Sequence, residues 1–153
     1  MSANLARSQI ARLKPYAAAA QQQQTIRLNA NEAYWDVAKD ATNQGSQHQL
    51  NRYPQVRPWQ LRDRLAALYG VLPEQLLVTR GSSEAIDLLV RVFCSPSEDN
   101  VIVTPPTFGM YRVYADIQQA QVRPVVLQAR QDFQLDPAQI LATADATTKI
   151  VFL

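Results

Sequence analysis

At 153 residues, 47% hydrophobic and 18% charged, the chain is ordinary globular material, long enough for one domain with a real core and too short for a second complete one. Its formal charge of +2 rests on twelve scattered arginines and three lysines with no lysine-rich run, which argues against nucleic acid as a partner. The amino terminus lacks a signal-peptide apolar core and no apolar run approaches the roughly eighteen residues a membrane span needs, so a cytoplasmic protein is expected.

Residues 4–14 place Leu5, Ile10 and Leu13 on one loose helical face, a short arm helix that Pro15 ends. Ala17 to Gln24 is a low-complexity connection. Ile26-Arg27-Leu28 begins as a strand and runs into polar Asn29-Ala30-Asn31-Glu32, followed by a polar loop in which His48, the sole histidine, is expected to be exposed and to bind no metal. Asn51-Arg52-Tyr53-Pro54 is extended, because proline biases the residue before it away from helix. A helix is predicted from Pro58 in its first position, with Leu61, Leu65, Leu68 and Tyr69 on one face and Gly70 as its stop.

Leu76-Leu77-Val78-Thr79 then reads as a buried strand that turns at Gly81 into a helix. Gly81 permits a backbone conformation, or a close approach, that a side chain would forbid, and Ser82 or Ser83 suits the N-cap. Amides left free at such a helix start, together with its dipole, favour an anion. Glu84 suits the dipole of an empty helix but repels a bound phosphate unless its side chain swings outward. Ile86, Leu89, Val90 and Phe93 form a stripe that Leu88 and Val92 widen almost to the whole circumference, so this helix belongs in a core. Asp87 and Arg91, four apart, are placed to pair. Cys94, the only cysteine, ends this apolar run and reads as a buried, inert thiol.

Val101-Ile102-Val103 is the next strand. Pro105-Pro106 forces an extended turn, and Thr107 is expected to cap a helix carrying Phe108, Met110, Tyr111, Tyr114 and Ile117. Val122 to Leu127 is a further strand, and Asp136-Pro137 opens a helix with Ile140 and Leu141 inward. Lys149 to Leu153 is a last buried strand. Alternating strands and helices define an α/β fold, a mostly parallel sheet covered on both faces. In such sheets ligand loops lie beyond the carboxyl ends of the strands, and the chain stops where one is due, so a fragment is expected.

Six segments in this order, Leu28 to Glu32, Asn51 to Pro54, Arg80 to Leu89, Arg91 to Cys94, Pro105 to Tyr111 and Thr148 to Leu153, make the chain resemble the amino-terminal part of the histidinol-phosphate aminotransferase family, pyridoxal-phosphate enzymes of fold type I. The resemblance implies an amino-terminal arm (residues 1–25) and part of the large cofactor-binding domain (residues 26–153). It implies transfer of an amino group between L-histidinol phosphate and 2-oxoglutarate, with pyridoxal 5'-phosphate as cofactor, in a homodimer. Carried over by position, Gly81 with the backbone of Ser82 and Ser83 would cradle the cofactor phosphate. The family often has aspartate where Ser83 stands, so the backbone role survives while a carboxylate role does not. Phe108 matches an aromatic residue, usually tyrosine, that stacks on the pyridine ring. Tyr53 matches a tyrosine that reaches the neighbouring subunit's cofactor phosphate, and Tyr16 and Asn31 match positions lining the substrate pocket.

None of Lys14, Lys39 and Lys149 stands at the family's cofactor-bonding lysine, which the resemblance places beyond Leu153, so this chain alone is expected to hold no catalytic residue and to be inactive. Within the fold, an aromatic aminotransferase and an amino-acid-phosphate decarboxylase are the rivals. A truncated, non-catalytic remnant is a third reading. A nucleotide-binding domain would need a glycine-rich phosphate loop, which four glycines do not form here.

Overall fold

The computed structural model describes residues 5–16, 28, 30–35, 51–54 and 58–153. The Ala17–Gln24 connection, Lys39, His48 and the start of the strand expected at Ile26 lie outside these residues. The chain divides into two compact units, one of Met1–Leu13 with Thr79–Leu153 and one of Lys14–Val78.

The first unit is built on a parallel three-stranded sheet of β1 (Asn100–Val103), β2 (Gln121–Pro124) and β3 (Thr148–Phe152) in the order β2-β1-β3. Val101 is in register with Val122 and Ile150, and Val103 with Pro124 and Phe152. The central strand is buried along its whole length, as a continuous apolar run predicts. Helices α3 (Ser82–Phe93) and α4 (Met110–Ile117) cover one face, where Ile86, Val90, Cys94, Val101, Val103, Ala115 and Phe152 form the core. On the opposite face Arg123, in register with Ile102, donates to the Thr143 carbonyl at 3.1 Å, which brings in the end of α5 (Pro137–Thr143).

Local signals account for several of these elements. Asp136 caps α5 by accepting from the Gln139 amide at 3.0 Å, with Pro137 in the first turn. Asp87 and Arg91 pair at 2.8 Å across one turn of α3. Val122 to Leu127 forms a shorter ladder than expected, ending at Pro124, which has no amide to donate. The Val125 and Leu127 amides still reach the Val103 and Pro105 carbonyls at 2.9 and 2.8 Å.

Other expectations are corrected. The helix after Pro105-Pro106 starts at Met110 behind Gly109, not at Thr107, because the turn runs on through Phe108 before the backbone reaches helical angles. The carboxyl-terminal strand alternates between partly covered and exposed positions, with Phe152 buried and Val151 exposed, because successive side chains point to opposite faces and Ile150 and Phe152 take the face that the helical core covers. Leu141 faces solvent, as do Leu5 and Leu13 of the arm. The arm helix is a single turn, α1 (Ser8–Ala11), anchored by the Arg7 amide donating to the Val92 carbonyl at 3.0 Å.

In the second unit, Pro58 stands one position ahead of α2 (Trp59–Tyr69), and Gly70 ends that helix in the left-handed conformation, φ +65°. Of its apolar face, Ala66 is buried while Leu61, Leu68 and Tyr69 are exposed. Leu76 is extended, but Leu76 to Thr79 joins no ladder among the described residues, and Leu77 is 71% exposed, so the expected buried strand is not formed among them. Pattern predicts an extended segment, whereas burial needs a neighbour with which to share backbone bonds.

Cys94 is fully buried, and burial, followed by the charge of Asp99, pushes its thiol up to about 11. The folded protein is therefore expected to resist a thiol-disulfide reagent at pH 8 and to release one equivalent only in denaturant, a difference that a colorimetric titration reads directly.

Candidate cofactor-phosphate site

The turn into α3 is shaped by Gly81. Its backbone sits at φ +87°, ψ 173°, a region open essentially to glycine alone, yet a Cβ there would meet nothing within 4 Å. Conformation, rather than close approach, is what the position demands. Gly81 itself is the N-cap, and Ser82 and Ser83 fall inside the first turn rather than capping it. Thr79 fixes the corner, its hydroxyl donating to the Gly81 carbonyl at 2.9 Å.

Among the described residues no acceptor meets the amides of Ser82 and Ser83. They head a twelve-residue helix, so two free donors and the positive end of its dipole point the same way. Glu84, expected to hinder an anion here, is turned away. Its carboxylate accepts from the Arg80 backbone amide and from the Arg80 guanidinium, with Nη2 at 3.0 Å. The bond from the Arg80 amide first, then that from its guanidinium, hold Glu84 below the usual carboxylate range, while the side-chain bond to Glu84, followed by the carboxylate's charge, raises Arg80. The reach back from the first turn resembles a capping box, displaced one residue toward the amino end. Arg80, Ser83, Glu84, Asp87, Leu88 and Tyr114 line a cavity beside this turn.

Phe108 lies between β1 and α4 and is 50% exposed, so it is not a core aromatic. It meets Tyr111 edge-on with centroids 5.7 Å apart, and Tyr111 stacks on Phe152 at 4.4 Å and 8°. α4 follows β1 through the turn at Pro105-Pro106, and Gln118 Nε2 donates to the Cys94 carbonyl at 3.0 Å, so α3 and α4 end side by side and both begin toward the carboxyl ends of the strands. The first unit thus brings Gly81, Ser82, Ser83 and Phe108 to one end of its sheet. Free amides at a helix start and a half-exposed aromatic ring offer, respectively, donors for an anion and an apolar face.

Tyr16, Asn31 and Tyr53 belong to the second unit. Tyr16 and Asn31 are exposed, Asn31 in the left-handed region at φ +50°. Lys149 pairs with Asp99 at 3.4 Å and Lys14 is exposed. From sequence alone, Thr79, Arg80 and Tyr114 have no part in the site. The four-residue spacing of Arg80 and Glu84 is the one signal that marks such a pair in advance. Among the described residues no three His, Cys, Asp or Glu side chains converge on a possible metal, and no helix is long and apolar enough to cross a membrane.

The chain belongs to the aminotransferase class I and II family, whose model matches residues 23–153. More particularly, it is similar to the histidinol-phosphate aminotransferase of Xylella fastidiosa (strain Temecula1), with 49% identity over 128 residues, which cover 82% of this chain and 34% of that protein. It is 37% identical over 153 residues to the histidinol-phosphate aminotransferase of Parabacteroides distasonis, covering 98% of this chain and 41% of the relative. The chain thus spans 34% and 41% of these two relatives' lengths. Its fold is similar to part of a tyrosine aminotransferase from Leishmania infantum, with TM-score 0.61 and 24% identity over 66% of this chain and 28% of that one. An aspartate aminotransferase from Thermotoga maritima gives TM-score 0.59 and 24% identity over 65% and 28%.

Proposed function

We propose that this chain is the amino-terminal part of a pyridoxal-phosphate-dependent aminotransferase that moves an amino group between L-histidinol phosphate and 2-oxoglutarate in histidine biosynthesis. The observation that carries the reading is the pair of unclaimed amides at Ser82 and Ser83 in a chain similar to histidinol-phosphate aminotransferases. The enzyme is a cytoplasmic homodimer in this reading. Gly81, Ser82 and Ser83 bind the cofactor phosphate, and Phe108 stacks on the cofactor ring. Tyr53 serves the phosphate of the neighbouring subunit's cofactor, and Tyr16 and Asn31 line the substrate pocket.

Pyridoxal phosphate, when bound, supplies the electron sink that lets an amino acid lose its α-proton. The residues of this chain bind and orient. The Ser82 and Ser83 amides take phosphate oxygens without moving, because Gly81 has already turned the backbone. The Arg80 guanidinium neutralises Glu84, so the first turn presents donors rather than a bare carboxylate. Phe108 restrains the ring by its face and offers no hydrogen bond. Phe108→Tyr is therefore expected to tighten cofactor binding severalfold. Phe108→Ala should weaken it by about two- to tenfold, the usual worth of an aromatic contact. Fluorescence titration of the full-length protein with pyridoxal phosphate checks both.

The function is tested by assaying the full-length polypeptide with histidinol phosphate and 2-oxoglutarate and following glutamate. Turnover only with aromatic amino acids, or release of carbon dioxide, would replace this reading with one of its rivals. The isolated 153-residue chain is expected neither to transaminate nor to fix the cofactor at a unique lysine on borohydride reduction.

A further inference from the structure

Within the second unit, two segments some twenty residues apart are clasped together. The Asn51 side-chain amide donates to the Ala33 carbonyl at 2.9 Å. Glu32 accepts from the Tyr53 backbone amide at 2.7 Å with one carboxylate oxygen and from Arg52 Nη1 at 3.0 Å with the other. The Glu32 side chain is only 4% exposed, so this carboxylate has given up water for those donors. The Arg52 side chain is half exposed, and its ion pair is weak by comparison. The bond to the Tyr53 amide is the one that locates a backbone.

The surroundings leave that backbone little freedom. Asn31, in the left-handed conformation that asparagine tolerates, turns the chain just before Glu32. Pro54 restricts Tyr53 from the other side to extended angles. With its amide held and its backbone restricted, Tyr53 starts from a fixed backbone position, and the residue is 44% exposed.

We infer that Glu32 is a positioning residue for Tyr53, fixing the backbone that carries the phenol to the cofactor phosphate, an inference that rests on the role proposed for Tyr53. A supporting group behind a ligand acts through that ligand, so its removal matters only while the ligand is present.

The test is a double-variant cycle in the full-length protein, with pyridoxal phosphate affinity read by fluorescence titration and folding checked by circular dichroism. Tyr53→Phe and Glu32→Ala are each expected to weaken affinity by about tenfold, the scale of one charge-assisted hydrogen bond. The double variant is expected to match Tyr53→Phe within about twofold. Glu32→Gln, which keeps an acceptor for the Tyr53 amide, is expected to restore most of the affinity, and it carries the cycle if Glu32→Ala does not fold. Losses that multiply in the double variant overturn the inference. So does wild-type affinity in both Glu32 variants while Tyr53→Phe is weakened, and that result leaves the role of Tyr53 intact. Wild-type affinity in Tyr53→Phe overturns the role of Tyr53 together with the inference.

Discussion

Gly81→Ala is expected to weaken pyridoxal phosphate binding by at least tenfold and to destabilise the folded protein by about 1–3 kcal/mol, the cost of holding a side-chain-bearing residue in backbone space reserved for glycine. The added methyl group meets open space, so the whole effect comes from the backbone at φ +87°, ψ 173°. If the corner relaxes instead, the Ser82 and Ser83 amides turn with it and the anion site loses its aim. Asparagine sharpens the test, since it tolerates the left-handed region but not the conformation of Gly81. Gly70→Asn, at φ +65° and ψ 34°, should cost well under about 1 kcal/mol, while Gly81→Asn should behave like Gly81→Ala. Thermal unfolding and cofactor titration of the four proteins give the comparison. Equal losses at the two glycines would mean that Gly81 is an ordinary helix-start residue and the turn no built anion site.

Gly81 also shows what sequence reasoning can and cannot reach. A lone glycine between an extended segment and a helix announces a special corner, but the choice between conformation and close approach needs coordinates. Signals confined to a few residues read correctly: Asp136 before Pro137, Gly70 after α2, and Asp87 four residues before Arg91. Expectations that depended on distant partners fared worse. The spacing of Leu61, Leu68 and Tyr69 shows that α2 has an apolar side but not what covers it, and these side chains are exposed. Leu76 to Thr79 has strand-forming residues without a strand beside it among the described residues. Phe108 taken from its residue pattern alone reads as a core aromatic, which its exposure contradicts, and Glu32 carries no local mark of its bond to an amide twenty-one residues away. The aminotransferase family itself was legible, because order and spacing of motifs survive where burial cannot be read.

The second large effect is expected at the opposite end of the sheet, in a polar cluster that joins β1 to β3. Asn100, 1% exposed, donates from Nδ2 to Thr147 Oγ1 at 2.7 Å and to Asp145 Oδ1 at 3.2 Å, and its Oδ1 accepts from Thr148 Oγ1 at 2.8 Å. Asn100→Leu keeps the volume but leaves those partners facing an apolar group. It is expected to destabilise the protein by about 2–4 kcal/mol, more than any single exposed ion pair would. Asp145 adds a pH dependence to this joint. The Thr147 hydroxyl at 2.7 Å, Arg123 at 2.6 Å and the Thr147 amide at 2.8 Å hold its carboxyl well below the usual carboxylate range. A carboxyl whose folded pKa is depressed binds its proton more readily in the unfolded chain. Its contribution is therefore complete above the unfolded value of about 3.9 and fades as pH falls below it toward the folded value. Asp145→Asn should flatten the acid limb of a plot of melting temperature against pH while lowering the neutral plateau. Asn100→Leu, which removes a neutral partner, should lower the whole curve with little change in the shape of that limb. An acid limb unchanged in Asp145→Asn would mean that the β1–β3 joint draws nothing from the charge of Asp145, and that Asn100 holds it through neutral hydrogen bonds alone.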